Sequence, residues 1–144
     1  VKMLQVDFVK MINIHVALKR YLTDLLSNQT VVALDYQKIK KDDVCYLGKL
    51  IYGHEQQLAT LPVFEEVKGL HANFHGLTAE IVRLHHAGQH EKALLLLHGR
   101  FEMVFRKLKS RIIVLSQQYT ASTITSVRPN RPARLSAGLH APHF

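Results

Sequence analysis

Histidine is the residue whose placement in this sequence first points to chemistry. His71 and His75 are four residues apart, so on a helix their imidazoles lie on adjacent turns of one face. His15 occupies a position in a separate apolar stripe where the pattern favours leucine or isoleucine. Because two imidazoles on adjacent turns can share one metal ion, we treat these three histidines as candidate ligands.

Cys45 is the only cysteine of the 144 residues, so no internal disulfide can form. A lone thiol fits a reducing compartment, and we therefore expect a cytoplasmic protein. The residue is predicted to lie on the inner side of a short helix that crosses near the three histidines. Three imidazoles and one thiolate form a tetrahedral ligand set suited to zinc.

Ordinary structural roles for the same residues stay open at this level. A single histidine on an apolar face is commonly a hydrogen-bonded core residue, and a buried cysteine is commonly an inert thiol. Ala72 stands where an H-E-x-x-H metalloprotease has its glutamate, so peptidase chemistry is not expected. The remaining histidines are predicted to be solvated surface residues: His54, His85, His86, His90, His98, His140 and His143.

Amphipathic helices must position the candidate ligands, since the apolar residues recur at spacings of three and four. The predicted helices run over about 4–26, through Cys45 to Gly53, over 63–87 and over 91–119. Asp42 and Asp43 are predicted N-caps of the short second helix, and Gly88 the stop of the third. Three long helices and one short metal-bearing helix predict an all-α fold, an antiparallel four-helix bundle.

Composition divides the chain into two parts. Residues 1–120 carry the helical pattern and are predicted to form the bundle. Residues 121–144 are rich in Thr, Ser, Pro, Arg and Gly without periodicity, and we expect a flexible tail or a segment added to the natural protein. The net charge of +8 is spread over the chain without a basic face or a recognisable motif, so nucleic-acid binding is not expected. No apolar run is long enough to cross a membrane.

Two short motifs carry a resemblance to a known family. Residues 45–50 read C-Y-L-G-K-L, and residues 71–75 read H-A-N-F-H. With a histidine in the first helix, they resemble the bacterial chemoreceptor zinc-binding (CZB) domain family, over roughly residues 8 to 118. Leu50 stands where that family usually has tryptophan, and Leu18 where an aromatic residue often follows the first histidine. The family's zinc ligands fall on His15, Cys45, His71 and His75.

The resemblance implies a regulatory rather than a catalytic protein. Such modules sense zinc or oxidants in the cytosol and control a chemoreceptor or a diguanylate cyclase, located in the same or a partner chain. One Zn²⁺ per chain, no enzymatic activity and a homodimer are therefore expected. Apolar residues beyond one stripe per helix also suggest a dimer interface; they are Val9, Ile12, Val16, Leu95, Leu96, Phe105 and Ile113.

Two other functions compete with this prediction. A hemerythrin-like bundle that binds iron and O₂ needs about five inward histidines and two carboxylates, whereas the stripes supply three histidines and no inward acid. A helical adaptor without metal would explain the bundle alone. Metal content separates these functions. The regulatory module should bind one zinc, the hemerythrin-like bundle two irons, and the adaptor no metal.

Overall fold

A computed structural model describes residues 6–27 and 45–127, with side chains through residue 123. Within these ranges the chain is helical and has no strand, which confirms the predicted all-α class. The helices are α1 (Phe8–Leu26), α2 (Tyr46–Gly53), α3 (Glu55–Leu58), α4 (Phe64–His86), α5 (His90–Leu96) and α6 (Glu102–Val127). None of these described helices combines the length and the apolar content that crossing a bilayer requires.

Helix α1 begins where its first free backbone amides find a side-chain acceptor. Asp7 is the N-cap, and its carboxylate accepts the backbone N–H of Lys10 at 2.9 Å. The buried face of the helix carries four residues of the predicted stripe, Met11, His15, Leu22 and Leu25, and also Leu26. One histidine thus lies in a row of apolar side chains that faces the core.

Helix α2 begins after Cys45, which was predicted to lie within the helix. Its N-cap is Cys45 itself, which has extended backbone angles, and the helix runs from Tyr46. The predicted caps Asp42 and Asp43 lie outside the described residues. A sulfur atom can cap a helix because it accepts a weak hydrogen bond from a backbone N–H of the first turn.

Helix α4 ends as its sequence predicts. Gly88 has φ of 76°, a left-handed conformation that costs glycine little. The Gly88 N–H donates to the His85 carbonyl at 3.0 Å, and the Gln89 N–H donates to the Leu84 carbonyl at 2.9 Å. This pair of bonds is the Schellman motif, which satisfies carbonyls at the end of the helix.

The predicted fourth helix is interrupted by a π-helical turn, Leu97–Phe101, between α5 and α6. Ala93, Leu97 and Phe101 are all buried, at successive spacings of four. In an α-helix of 3.6 residues per turn, residues spaced by four drift around the axis by about 40° per repeat. The wider π turn offsets this drift, so Phe101 still faces the core.

Two further predictions about the last helix were wrong. It continues to Val127 rather than ending at Tyr119, so residues 121–127 belong to a helix and not to a tail; residues 128–144 lie outside the described part. Phe105, expected on an outer face, is only 2% exposed. Its ring lies 6.0 Å from that of Phe74, because α4 and α6 pack against each other.

Candidate metal centre

Three helices bring the four predicted ligands to one point. His15 comes from α1, His71 and His75 from α4, and Cys45 from the residue that caps α2. The three imidazoles are buried, with 1%, 0% and 5% of their surface exposed, whereas Cys45 is half-buried. The helix spacing of four places His71 and His75 on the same side of α4, as the sequence predicts.

The potential ligand atoms face one another. Cys45 Sγ lies 3.0 Å from His71 Nε2 and 3.9 Å from His15 Nε2. His71 Nε2 and His75 Nε2 are 3.1 Å apart. One such atom from each of the four residues lies within 4.8 Å of all the others. The predicted grouping of His15, Cys45, His71 and His75 is therefore confirmed.

The backbone of α1 fixes the orientation of the His15 ring. Its Nδ1 is 2.7 Å from the carbonyl oxygen of Met11, one turn earlier. Because a carbonyl oxygen only accepts, Nδ1 carries the hydrogen and donates it. The neutral ring then has its lone pair on Nε2, the nitrogen that faces Cys45, and this is the tautomer that a metal ligand needs.

The N-terminus of α2 favours the thiolate form of Cys45. The Gly48 N–H donates to Cys45 Sγ at 3.4 Å. Helix N-termini carry partial positive charge, and thiolates are stabilised there. Since the thiolate is the form that binds metals, the position of Cys45 prepares it for this role.

Burial keeps the histidine rings in the neutral form. Burial lowers the pKa of His15 to about 4. The hydrogen bond to Met11 opposes this shift, and nearby His75 adds a smaller lowering. Burial also lowers the pKa of His71 to about 2, and repulsion from His75 and His15 adds to this shift. At neutral pH both rings therefore retain a nitrogen lone pair that can bind a metal.

One ring nitrogen of His71 has no hydrogen-bond partner among the described residues. It is the buried Nδ1, whereas Nε2 faces the thiol and the His75 ring. An unsatisfied buried polar atom typically costs about 1–3 kcal/mol. A metal bound at Nε2 would leave Nδ1 unchanged, so this atom does not distinguish a ligand from an ordinary core histidine.

The residues fit a tetrahedral metal ion. Typical zinc bonds of about 2.0–2.1 Å to nitrogen and 2.3 Å to sulfur place ligand atoms about 3.3–3.6 Å apart. Neighbouring ligand atoms are 3.0 to 3.9 Å apart, which brackets this spacing, and the whole group lies within 4.8 Å. Among the described residues the group contains no carboxylate, and a set of nitrogen and sulfur ligands suits zinc better than magnesium or calcium.

Phe74 packs against two histidines of the group. Its ring meets that of His15 nearly at right angles at 5.0 Å and that of His75 at 5.7 Å. On its other side it contacts Phe101, the last residue of the π turn, at 5.1 Å. The contact with His75 lies within α4, whereas the contact with His15 comes from the packing of α1 on α4.

The other described histidines are exposed or half-buried and stand outside the group: His54, His85, His86, His90 and His98. This agrees with their predicted surface role; His140 and His143 lie outside the described residues. Sequence reasoning missed three features of the site: Cys45 as a helix cap, the Met11 carbonyl that orients His15, and a contact between Tyr46 and Asp7. The small residue at Gly48, three positions after Cys45, is a signal that could have suggested the cap.

Comparisons of the chain with protein-family models, with curated proteins and with solved structures found no match.

Acid should destabilise the metal-free protein. The folded pKa of His15, about 4, lies below its ordinary 6.5. As pH falls below 6.5 the unfolded chain therefore binds protons that the folded chain does not, and the free energy of unfolding decreases until pH 4. Each such histidine contributes at most about 1.4 kcal/mol per pH unit. Urea unfolding with chelator between pH 7.5 and 4.5 measures this slope.

Two variants test whether His15 causes this dependence of the free energy of unfolding on pH. His15→Leu should flatten the slope, whereas the exposed His98→Leu should retain it. A wild-type slope no steeper than that of His15→Leu would show that His15 does not cause it.

Proposed function

We propose that the chain is a zinc-binding regulatory module with one Zn²⁺ per chain, held by His15, Cys45, His71 and His75. The observation that carries this proposal is the convergence of these four residues' ligand atoms, all within 4.8 Å of one another. Two further observations support it: the lowered pKa values of His15 and His71, and the hydrogen bond by which Cys45 Sγ caps α2. When bound, zinc supplies a cross-link between α1, α2 and α4.

The proposal includes the finer architecture and the family. We infer an antiparallel four-helix bundle of the chemoreceptor zinc-binding type, located in the cytoplasm. The support is the packing of α4 on α5 and α6 and of α1 on both α4 and α6, together with the motifs at 45–50 and 71–75. Comparison of a crystal structure's helix directions with this arrangement tests the architecture.

A regulatory role follows from the number of protein ligands. Four protein ligands close a tetrahedral zinc site, whereas catalytic zinc keeps one position for water or substrate. The described group also contains no acid that could serve as a general base. We therefore propose that the protein is not an enzyme and that it controls an output domain, a chemoreceptor or a diguanylate cyclase.

Cys45 makes the site responsive. It is the only ligand that oxidants convert to a different species, and oxidation of the sulfur weakens its bond to a metal. It is also the least buried of the four, so reagents in solution reach it first. Because it caps α2, loss of its bond would release the start of that helix while the histidines on α1 and α4 stay packed.

Metal content is the direct test. Tag-free protein should contain one zinc and no iron per chain, and X-ray absorption should show three nitrogens and one sulfur around it. His71→Ala and Cys45→Ala should weaken zinc binding strongly, since changes in residues that only hydrogen-bond to metal ligands already cost about 10–100-fold. Two irons per chain would indicate the hemerythrin-like alternative, and absence of metal the helical adaptor.

His98→Ala and His54→Ala are the matched controls, because both residues are exposed and lie outside the group. Equal losses in these variants and in His71→Ala would contradict the assignment of ligands. Chelation should also lower the melting temperature, because structural metals stabilise the fold that binds them.

Oxidation should release zinc through the sulfur. On treatment with peroxide or hypochlorous acid, we expect zinc release in proportion to modification of Cys45, measured with a zinc dye and by mass spectrometry. Cys45→Ala should bind zinc more weakly but release it independently of mild oxidant. Release with Cys45 unmodified would reject oxidant sensing and leave zinc itself as the signal.

A homodimer is the proposed assembly. Val9 is 64% and Ile113 is 40% exposed, and both line one groove between the start of α1 and the middle of α6. Light scattering at tens of micromolar should give the mass of two chains, and Val9→Glu should shift it towards one. Met103→Glu is the control, because this 64% exposed residue lines a different groove. A wild-type monomer mass would reject the dimer.

A further inference from the structure

A small set of polar contacts joins the start of α2 to the start of α1. The Asp7 backbone N–H donates to the hydroxyl of Tyr46 at 3.0 Å. The ammonium of Lys10 lies over the ring of the same tyrosine, 4.7 Å from its centroid. Asp7 itself caps α1 through the Lys10 amide. We call Asp7, Lys10 and Tyr46 the tyrosine clamp.

Both ends of the clamp are linked through the backbone to residues of the metal centre. Tyr46 directly follows Cys45, and Asp7 precedes the helix that carries His15. The burial of Leu47, Leu50 and Ile51 determines which face of α2 meets the core. Apolar burial is non-directional, however, and permits small shifts of a short helix along its neighbour. A hydrogen bond between the two helix starts limits such shifts.

The distances around Cys45 show where a shift would act. Its sulfur is 3.0 Å from His71 Nε2 but 3.9 Å from His15 Nε2, so the separation from α1 is the longer one. The clamp connects α2 to α1, the helix on that longer side. A tether there holds the thiolate near enough to His15 for both to bind one ion.

We propose that Tyr46 is a positioning residue for Cys45, which sets how firmly the thiolate binds the metal and how readily it leaves. This role rests on the proposed zinc function. The hydroxyl of Tyr46 does not touch the ion; it acts through the placement of the residue beside it. Loosening the clamp therefore weakens the sulfur bond selectively and leaves the three imidazoles in place.

The variant Tyr46→Phe removes the hydroxyl and retains the ring over which Lys10 lies. A net hydrogen bond of about 0.5–1.5 kcal/mol corresponds to roughly 2- to 10-fold weaker zinc binding, measured by competition with a chelator dye. In cobalt-loaded protein the sulfur-to-cobalt charge-transfer band should weaken, while the bands of the tetrahedral ion persist. Tyr52→Phe is the control, since Tyr52 lies towards the other end of α2.

A double-mutant cycle distinguishes positioning from general stability. In a Cys45→Ala background, Tyr46→Phe should leave zinc affinity unchanged, because the residue through which it acts is missing. An equal loss in that background would overturn the proposal, as would a Tyr46→Phe affinity equal to that of Tyr52→Phe. The cycle uses the full chain and compares only variants that bind metal.

Alkylation of Cys45 gives a readout that needs no metal. In chelator-treated protein, Cys45 should react with iodoacetamide faster in Tyr46→Phe than in wild type or Tyr52→Phe. Equal rates in all three proteins would reject the positioning role. If wild type bound neither zinc nor cobalt, the proposed function would fail, and the alkylation rates would still decide whether Tyr46 positions Cys45.

Discussion

The placement of three imidazoles inside an apolar core is the constraint on which the rest of the site depends. Buried polar groups are tolerated when they are hydrogen-bonded, and among the described residues only part of that need is met. His15 donates to a backbone carbonyl, whereas His71 Nδ1 has no partner in the described part of the chain. The Nε2 atoms of His15 and His71 face Cys45 Sγ, and that of His75 faces His71 Nε2. A metal ion shared by these facing atoms would offset the cost of burying them.

The surrounding helices reflect the same constraint. Helix α4 carries two of the rings, and the π turn places Phe101 against Phe74, which in turn packs on His15 and His75. These rings are fully or almost fully buried. Close packing of this kind holds side chains in defined positions, so the imidazole half of the site is rigid.

The sulfur half of the site is built differently. Cys45 is half-buried and caps a helix of eight residues. Short helices depend on tertiary contacts for their stability. Weak, specific contacts, such as the bond between Asp7 and Tyr46, therefore have more influence here than in the core. The site thus combines three buried histidines with one more exposed thiol.

Periodicity and residue type determined much of this protein in advance. The stripes of α1 and α4 predicted which faces are buried, because burial follows apolar spacing in any amphipathic helix. Histidines stand out within those apolar stripes, and the spacing of His71 and His75 predicted that both lie on the same side of α4. The end of α4 was also predictable from local sequence, because it needs only a residue that adopts a left-handed backbone conformation, here Gly88.

Tertiary structure alone decided the remaining features. The cap at Cys45 depends on where α2 docks, and the π turn depends on which side chains must face the core. The burial of Phe105 also arises between helices, because its ring packs beside that of Phe74. Distances between residues far apart in sequence, such as His15 and Cys45, follow from how separate helices pack. Helical periodicity gives the side of a helix on which a residue lies, but it contains no information about the position of another helix.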